Sequence, residues 1–174
     1  MTLTAGTVLV LGGARSGKSA YAESLFPATP GARYLYLATG QARDGEMADR
    51  IRQHRERRGA HWLTAEEPMA IAPILNAPGQ DVSAILVDCL TLWISNLMEA
   101  GLDVAAETEA LCRALTQAPV PVVLVSNEVG LGLVPETPLG RAFRDAQGRV
   151  NQRVAAACDR VAFVAAGLPM ILKG

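Results

Sequence analysis

The chain has 174 residues, one domain's length on a prior of roughly 100–200 residues per domain, and half of those residues are hydrophobic. Sixteen basic side chains face seventeen acidic ones, for a net charge of −1. That balance excludes an intrinsically disordered chain and argues against a general nucleic-acid or membrane-surface binder.

Short apolar runs alternate with helical patterns along the sequence. Val8-Leu9-Val10-Leu11 reads as the first buried strand, and residues 18–25 as the helix after it. Tyr34-Leu35-Tyr36-Leu37-Ala38 is the second strand; residues 46–58 carry Met47 and Ile51 at helical spacing. Asn76 to Asp81, with Pro78 and Gly79, reads as a loop within one domain, 1–174. Ala84-Ile85-Leu86-Val87 is the third strand, followed by helical patterns over 90–98 and 104–117. The fourth strand covers 120–125, with Pro121 near its start. A long helix over 139–158 turns Phe143, Ala146, Val150 and Val154 to one face, and Val161-Ala162-Phe163-Val164 is the fifth strand. Continuous apolar strands alternating with helices predict βαβ units in a three-layer α/β fold, a mostly parallel sheet with helices on both faces.

Cys89, Cys112 and Cys158 are scattered and form no CxxC pair, which fits buried thiols in a reducing compartment. The longest nearly apolar run, residues 161–172, is interrupted by Gly167 and Pro169 and falls short of the about 20 residues that a membrane span needs. A cytoplasmic protein without a membrane span is expected.

Ligands in such folds collect at the carboxyl ends of the strands. Directly after the first strand stands Gly12-Gly13-Ala14-Arg15-Ser16-Gly17-Lys18-Ser19. It fits G-x-x-x-x-G-K-[ST] in the strand-to-helix setting that gives the motif its meaning. Glycines let backbone N–H groups converge on one concavity, a site for phosphate oxygens. Lys18 reaches the β- and γ-phosphates and Ser19 ligates Mg²⁺. Asp88 ends the third strand, where a carboxylate holds the same metal through water. Glu128 ends the fourth strand in Ser126-Asn127-Glu128 and is a weaker candidate for a base or supporting group.

Of the two histidines, His54 lies at i+3 from Ile51 and i+7 from Met47, with Arg50, Arg57 and Arg58 at helical neighbour positions. Nearby cations favour a neutral, nucleophilic imidazole and bind phosphate oxygens. The spacing suits nucleotidyl transfer through a covalent histidine intermediate, and it equally suits a solvated charged face. His61, before Trp62, has no such setting.

The run Leu11 through Ser19 resembles the P-loop of the bifunctional adenosylcobinamide kinase / adenosylcobinamide-phosphate guanylyltransferase family of cobalamin biosynthesis. Similar in order are Glu46-Met47-Ala48-Asp49-Arg50-Ile51 leading to His54 and Arg57-Arg58, then Trp62-Leu63-Thr64-Ala65-Glu66 and Val125-Ser126-Asn127-Glu128-Val129-Gly130. Val134-Pro135-Glu136, Phe143-Arg144-Asp145 and Gly148-Arg149-Val150-Asn151-Gln152 complete the series. The resemblance implies a RecA-like P-loop NTPase fold and two reactions. An NTP, ATP or GTP, phosphorylates adenosylcobinamide; GTP then gives GMP to adenosylcobinamide phosphate through a GMP-histidine intermediate, with Mg²⁺ as cofactor. It implies that His54 is guanylylated, that Gly12, Gly13, Ala14, Arg15, Ser16, Gly17, Lys18 and Ser19 bind the triphosphate, and that Thr39, Gly40, Gln41, Arg55, Glu56, Arg57, Arg58, Glu66 and Asp88 make the remaining GTP contacts. It also implies a homo-oligomer. The family's carboxylate is Glu in some members and Asp88 here, one methylene shorter. Gly59-Ala60-His61 departs from the proline expected after the arginine pair.

Two other readings compete on the residues alone. One is a P-loop small-molecule kinase with no covalent step. The other is a nucleotide-gated binding module that uses Arg141, Arg144, Arg149 and Arg153 as an interaction face.

Overall fold

A computed structural model describes residues 3, 5–40, 59 and 61–174. The helix expected over 46–58, with His54, lies outside the described residues. Seven strands form one sheet in the order β3-β2-β4-β5-β1-β6-β7. They are β1 (Thr7–Gly12), β2 (Tyr34–Ala38), β3 (Trp62–Glu66), β4 (Ala84–Asp88), β5 (Val122–Asn127), β6 (Arg160–Ala165) and β7 (Leu168–Lys173). The first six run parallel; β7 pairs antiparallel with β6. Five helices are described: α1 (Lys18–Ser24), α2 (Ile71–Asn76), α3 (Leu90–Glu99), α4 (Val104–Gln117) and α5 (Pro138–Ala157).

All six residues of β1 are buried. Its side chains alternate between two cores, as a strand covered on both faces requires. Leu9 and Leu11 join Leu75, Trp93, Leu111 and Val150 beneath α2 to α5. Val8 and Val10 face Ala22 of α1 and Leu25, which follows it, on the other side. Each fully buried aliphatic side chain contributes about 1.5–3 kcal/mol. On α3, Leu90, Trp93, Ile94 and Leu97 occupy i, i+3, i+4 and i+7 and are all buried. The expected apolar face of α5 is also present, with Val150 and Val154 buried and Phe143 and Ala146 packed against the same core.

Helix starts follow side-chain capping where it is available. Asp103 accepts from the N–H groups of Ala105 and Ala106 before α4. Thr137 accepts from Gly140 N–H before α5, and Pro138 occupies the first turn. Pro121, which has no N–H to donate to the ladder, precedes β5, so that strand begins at Val122 and not at 120.

Three elements depart from the expected series. Strand β3 occupies one sheet edge beside β2; Trp62, Leu63 and Ala65 are half-buried, and Thr64 and Glu66 are exposed. The single apolar run over 161–172 divides into β6 and β7 around Ala166 and Gly167. The short helix α2 precedes the loop that begins beyond Asn76.

A buried polar network ties α5 to the end of β5. Ser126 Oγ donates to Asn151 Oδ1 at 2.7 Å, Gln147 Nε2 donates to Ser126 Oγ at 2.8 Å, and Asn151 Nδ2 donates to the Asn127 carbonyl at 3.0 Å. Removing a partner leaves buried groups unsatisfied at about 1–3 kcal/mol each. Asn151→Ala is therefore expected to lower unfolding free energy by roughly 2–3 kcal/mol; urea titration would detect it, and an unchanged midpoint would contradict the role.

Burial pushes the Cys158 thiol up to about 12, despite a hydrogen bond from Thr7 that opposes the shift. A raised thiol pKa moves thiolate formation, and hence alkylation, to higher pH. Native protein treated with iodoacetamide at pH 8 should keep Cys158 unmodified, whereas denatured protein should label there. Peptide mapping checks this; rapid native labelling of Cys158 at pH 8 would be the contrary result.

Candidate nucleotide site

The sheet order determines what meets at its carboxyl edge. Strand β5 lies between β4 and β1, pairing Asn127 with Gly12 on one side and Val125 with Asp88 on the other. The P-loop and Asp88 therefore end one strand apart. Glu128 N–H donates to the Gly12 carbonyl at 3.1 Å, which joins the exit of β5 to the start of the loop.

Sterics explain two of the loop's glycines. A Cβ at Gly12 would stand 2.5 Å from the Val164 carbonyl oxygen and 2.6 Å from Ser16 Oγ, closer than a side chain can approach. Gly17 has φ +92°, the left-handed conformation that glycine adopts at no Cβ cost. Arg15 also has positive φ, at 56°. Such turns orient successive N–H groups into an anion-binding concavity. Ser16 N–H donates to the Gly13 carbonyl at 3.3 Å, and Lys18 Nζ donates to the same carbonyl at 3.1 Å. The ammonium thus lies across the loop it helps to close. Ser19, in the first turn of α1, is half-buried; Gly13 is also half-buried, and Ala14 is exposed.

Asp88 is half-buried at the end of β4, and the Tyr36 hydroxyl donates to its Oδ2 at 2.8 Å. This contact orients the carboxylate. Nothing in the sequence singled it out, because Tyr36 reads there only as an apolar strand residue. Burial raises the neighbouring Cys89 thiol to about 11, Asp88 adds to the rise, and Lys18 opposes it. Cys89 therefore feels both the P-loop ammonium and the strand-end carboxylate, whose charges converge on one end of the sheet.

Thr39 occupies a different kind of position. It is fully buried. Its hydroxyl donates to the Cys89 carbonyl at 2.7 Å and accepts from Cys89 N–H at 2.9 Å. Its N–H donates to the Asp88 carbonyl at 3.2 Å, and its carbonyl accepts from Asn96 Nδ2 at 2.8 Å. Each polar group of Thr39 is thus engaged by protein, and these bonds tie the exit of β2 to that of β4. Gly40 follows, where a Cβ would approach Leu92 Cδ1 to 3.1 Å. Glu66 is exposed at the end of β3, paired with Ala38 at the same carboxyl edge. Trp93 lies in the core and donates its indole N–H to the Met69 carbonyl at 2.7 Å.

The structure thus brings residues 12–19, Thr39, Gly40, Glu66 and Asp88 to one edge of the sheet. Gln41, His54, Arg55, Glu56, Arg57 and Arg58 lie outside the described residues. Beyond the expected set, the edge also holds Tyr36, Asn127 and the Ala166–Gly167 turn, whose Gly167 N–H donates to the Ser16 carbonyl at 2.8 Å.

Two solved structures share the architecture at low identity. The flagellar accessory protein FlaH from Methanocaldococcus jannaschii matches with a TM-score of 0.54 and 12% identity, over 97% of this chain and 78% of that one. A KaiC-like protein from Pyrococcus horikoshii matches with a TM-score of 0.53 and 11% identity, over 91% and 70%. At this distance the likeness concerns the fold alone, a three-layer P-loop NTPase fold. Among sequence relatives, the bifunctional adenosylcobalamin biosynthesis protein CobP of Pseudomonas aeruginosa is 50% identical over 95% of this chain and 96% of its own. The corresponding CobU proteins of Salmonella typhimurium and Escherichia coli are 44% and 40% identical, each over 95% of this chain and 99% of their own. Residues 8–172 match the cobinamide kinase / cobinamide phosphate guanyltransferase family, and the chain belongs to that family.

Proposed function

We propose that this enzyme carries out both family reactions from one phosphate cradle. An NTP gives its γ-phosphoryl group to the hydroxyl of adenosylcobinamide. GTP then gives GMP to adenosylcobinamide phosphate, yielding adenosylcobinamide-GDP and pyrophosphate. The observation that carries the reading is the joining of a built P-loop to Asp88 across β5 in a chain matching the family over residues 8–172. The reading includes a cytoplasmic homo-oligomer that takes no nucleic acid. No helix among the described residues is long and apolar enough to cross a membrane.

The cradle's part is to hold phosphate oxygens. Backbone N–H groups of the loop donate to them, and Lys18 adds a point charge. The Ser19 hydroxyl and Asp88 carboxylate are hard oxygen donors of the kind Mg²⁺ takes, and the Tyr36 hydrogen bond that orients Asp88 supports the fit. Bound there, Mg²⁺ would neutralise charge on the phosphates.

The second reaction needs a nucleophile, and the proposal assigns it to His54. An imidazole nitrogen attacks the α-phosphorus of GTP; a P–N bond forms and the bond to the pyrophosphate oxygen breaks. A phosphate oxygen of adenosylcobinamide phosphate then attacks the same phosphorus and the P–N bond breaks, returning neutral imidazole. The arginines around His54 in sequence supply charge for the phosphate oxygens.

Asp88→Asn keeps the shape and removes the charge. It is expected to raise the Mg²⁺ concentration for half-maximal activity and lower kcat by about tenfold or more, with little change in the thermal midpoint. Metal titration of the folded variant checks this, and an unaltered metal requirement would contradict it.

Incubation with α-labelled GTP tests the covalent step. Label should survive denaturation and alkali, be released by acid as a phosphoramidate, and map to the peptide with His54; γ-label should not be retained. His54→Ala should lose guanylyl transfer and keep kinase activity, which needs no protein nucleophile. Acid-stable label, or label on another peptide, would overturn the assignment. Kinase activity without any retained label would favour the purely phosphoryl-transferring enzyme.

A further inference from the structure

We propose that the C-terminal β6–β7 hairpin is a working part of the nucleotide site: its turn, through the Gly167 N–H, fixes the P-loop peptide between Ser16 and Gly17 in its phosphate-binding orientation. The proposal rests on the P-loop reading above and adds a positioning residue 148 positions beyond Ser19 in the chain.

The hairpin reaches the loop at two points. Gly167 N–H donates to the Ser16 carbonyl at 2.8 Å. A Cβ built on Gly17 would stand 3.0 Å from Gly167 Cα, so the two backbones lie against each other. Strand β6 adds a third approach, since a Cβ at Gly12 would stand 2.5 Å from the Val164 carbonyl oxygen. The P-loop thus leans on the hairpin from its first residue to its last glycine.

The planarity of the peptide bond turns this contact into a statement about phosphate. In a trans peptide the C=O and the following N–H point in opposite directions. Holding the Ser16 carbonyl toward the hairpin therefore turns the Gly17 N–H away from it. That is the orientation an anion-binding loop needs, because its N–H groups must converge before the phosphate arrives. Without the hairpin bond the peptide is freer to rotate, and ordering it becomes a cost of binding.

The hairpin is shaped and fastened for this contact. Its two-residue turn has positive φ at both positions, 52° at Ala166 and 80° at Gly167, as in the type I′ turns that suit strand twist. Asparagine or glycine fits the first position better than alanine does. Far from the turn, Lys173 Nζ donates to the carbonyls of Ala155, Ala156 and Cys158, at 3.1, 3.0 and 2.5 Å, at the end of α5. The strand is fastened there although every residue of β7 is exposed. Burial does not hold β7; its antiparallel ladder with β6 and the polar contacts beyond its two ends do.

The test compares Gly167→Val with Met170→Gly in the full-length protein. Valine adopts positive φ poorly, so Gly167→Val should displace the turn and its N–H; a Cβ at this position meets nothing within 4 Å, so crowding is not the cause. Met170→Gly weakens β7 away from the turn and reports a merely structural role. GTP affinity of Gly167→Val is expected to fall by about tenfold, with a matching rise in nucleotide KM and little change in the KM for cobinamide. Met170→Gly should lower the thermal midpoint with a much smaller loss of GTP affinity. Equal affinity losses in the two variants, or unchanged GTP affinity in Gly167→Val, would overturn the proposal. Wild-type protein provides a second measurement that does not depend on a variant's folding. A scalar coupling across the hydrogen bond from Gly167 nitrogen to the Ser16 carbonyl carbon, with amide protection that rises when GTP binds, is expected; its absence in the GTP complex would also overturn the assignment. Failure of wild-type protein to bind GTP, or equal binding by Lys18→Ala, would instead reject the underlying nucleotide reading.

Discussion

Burial of β1 between β5 and β6 is the constraint on which the rest of the structure depends. A parallel strand buried on both faces and paired on both edges has no freedom to slide, because a one-residue slip would exchange its two cores. Leu9 and Leu11 belong to one core and Val8 and Val10 to the other. The strand therefore delivers Gly12 to one fixed point at the sheet's carboxyl edge. Everything chemical in the described residues is referred to that point: Asn127 through its register, Glu128 through its hydrogen bond, and Val164 through its carbonyl. The loop beyond Gly12 can be rich in glycine because the strand before it is fixed in register by its two neighbours.

Much of this was legible in the sequence because the relevant signals are local. The P-loop is a contiguous string whose chemistry depends on spacing. The five central strands are continuous apolar runs, which is how strands covered on both faces read. What escaped is either peripheral or non-local. Strand β3 lies at an edge and mixes Thr64 and Glu66 with half-buried Trp62, Leu63 and Ala65, so it lacks the run that marked the others. The β6–β7 hairpin was hidden because both strands are apolar and the turn is Ala-Gly, without the Asn-Gly signature of a type I′ loop. Helix α2 has only six residues and includes Pro73. Tyr36 and Gly167 acquire their roles from partners 52 and roughly 150 positions away, a relation that no spacing rule reports.

Thr39 illustrates a different limit. The resemblance associates this position with the nucleotide, and the structure places it within reach of the same edge. Yet its hydroxyl is shared between the carbonyl and N–H of Cys89, and its own N–H reaches the Asp88 carbonyl. A threonine suits this task because one hydroxyl both donates and accepts. The physical consequence is that Asp88 is held from two directions, by Thr39 along the backbone and by Tyr36 at the carboxylate. A residue can thus belong to a site by fixing its geometry while its polar atoms face the protein.

The same distinction bears on how one cradle can serve two reactions under the proposed function. Phosphoryl transfer and guanylyl transfer break different bonds of the triphosphate, at the γ- and the α-phosphorus. A concavity of backbone N–H groups and one lysine does not choose between them; it holds charge and position for either. The choice must come from the nucleophile brought to the phosphorus, the substrate's hydroxyl in one case and an imidazole in the other. That division explains the arrangement of the chemistry along the chain. The charge-holding groups are rooted in the centre of the sheet, at the ends of β1 and β4 on either side of β5. The residues that would distinguish the second reaction, His54 and its arginines, fall in sequence between β2 and β3. A cradle braced by its own strand and by the distant hairpin can stay fixed while different nucleophiles approach.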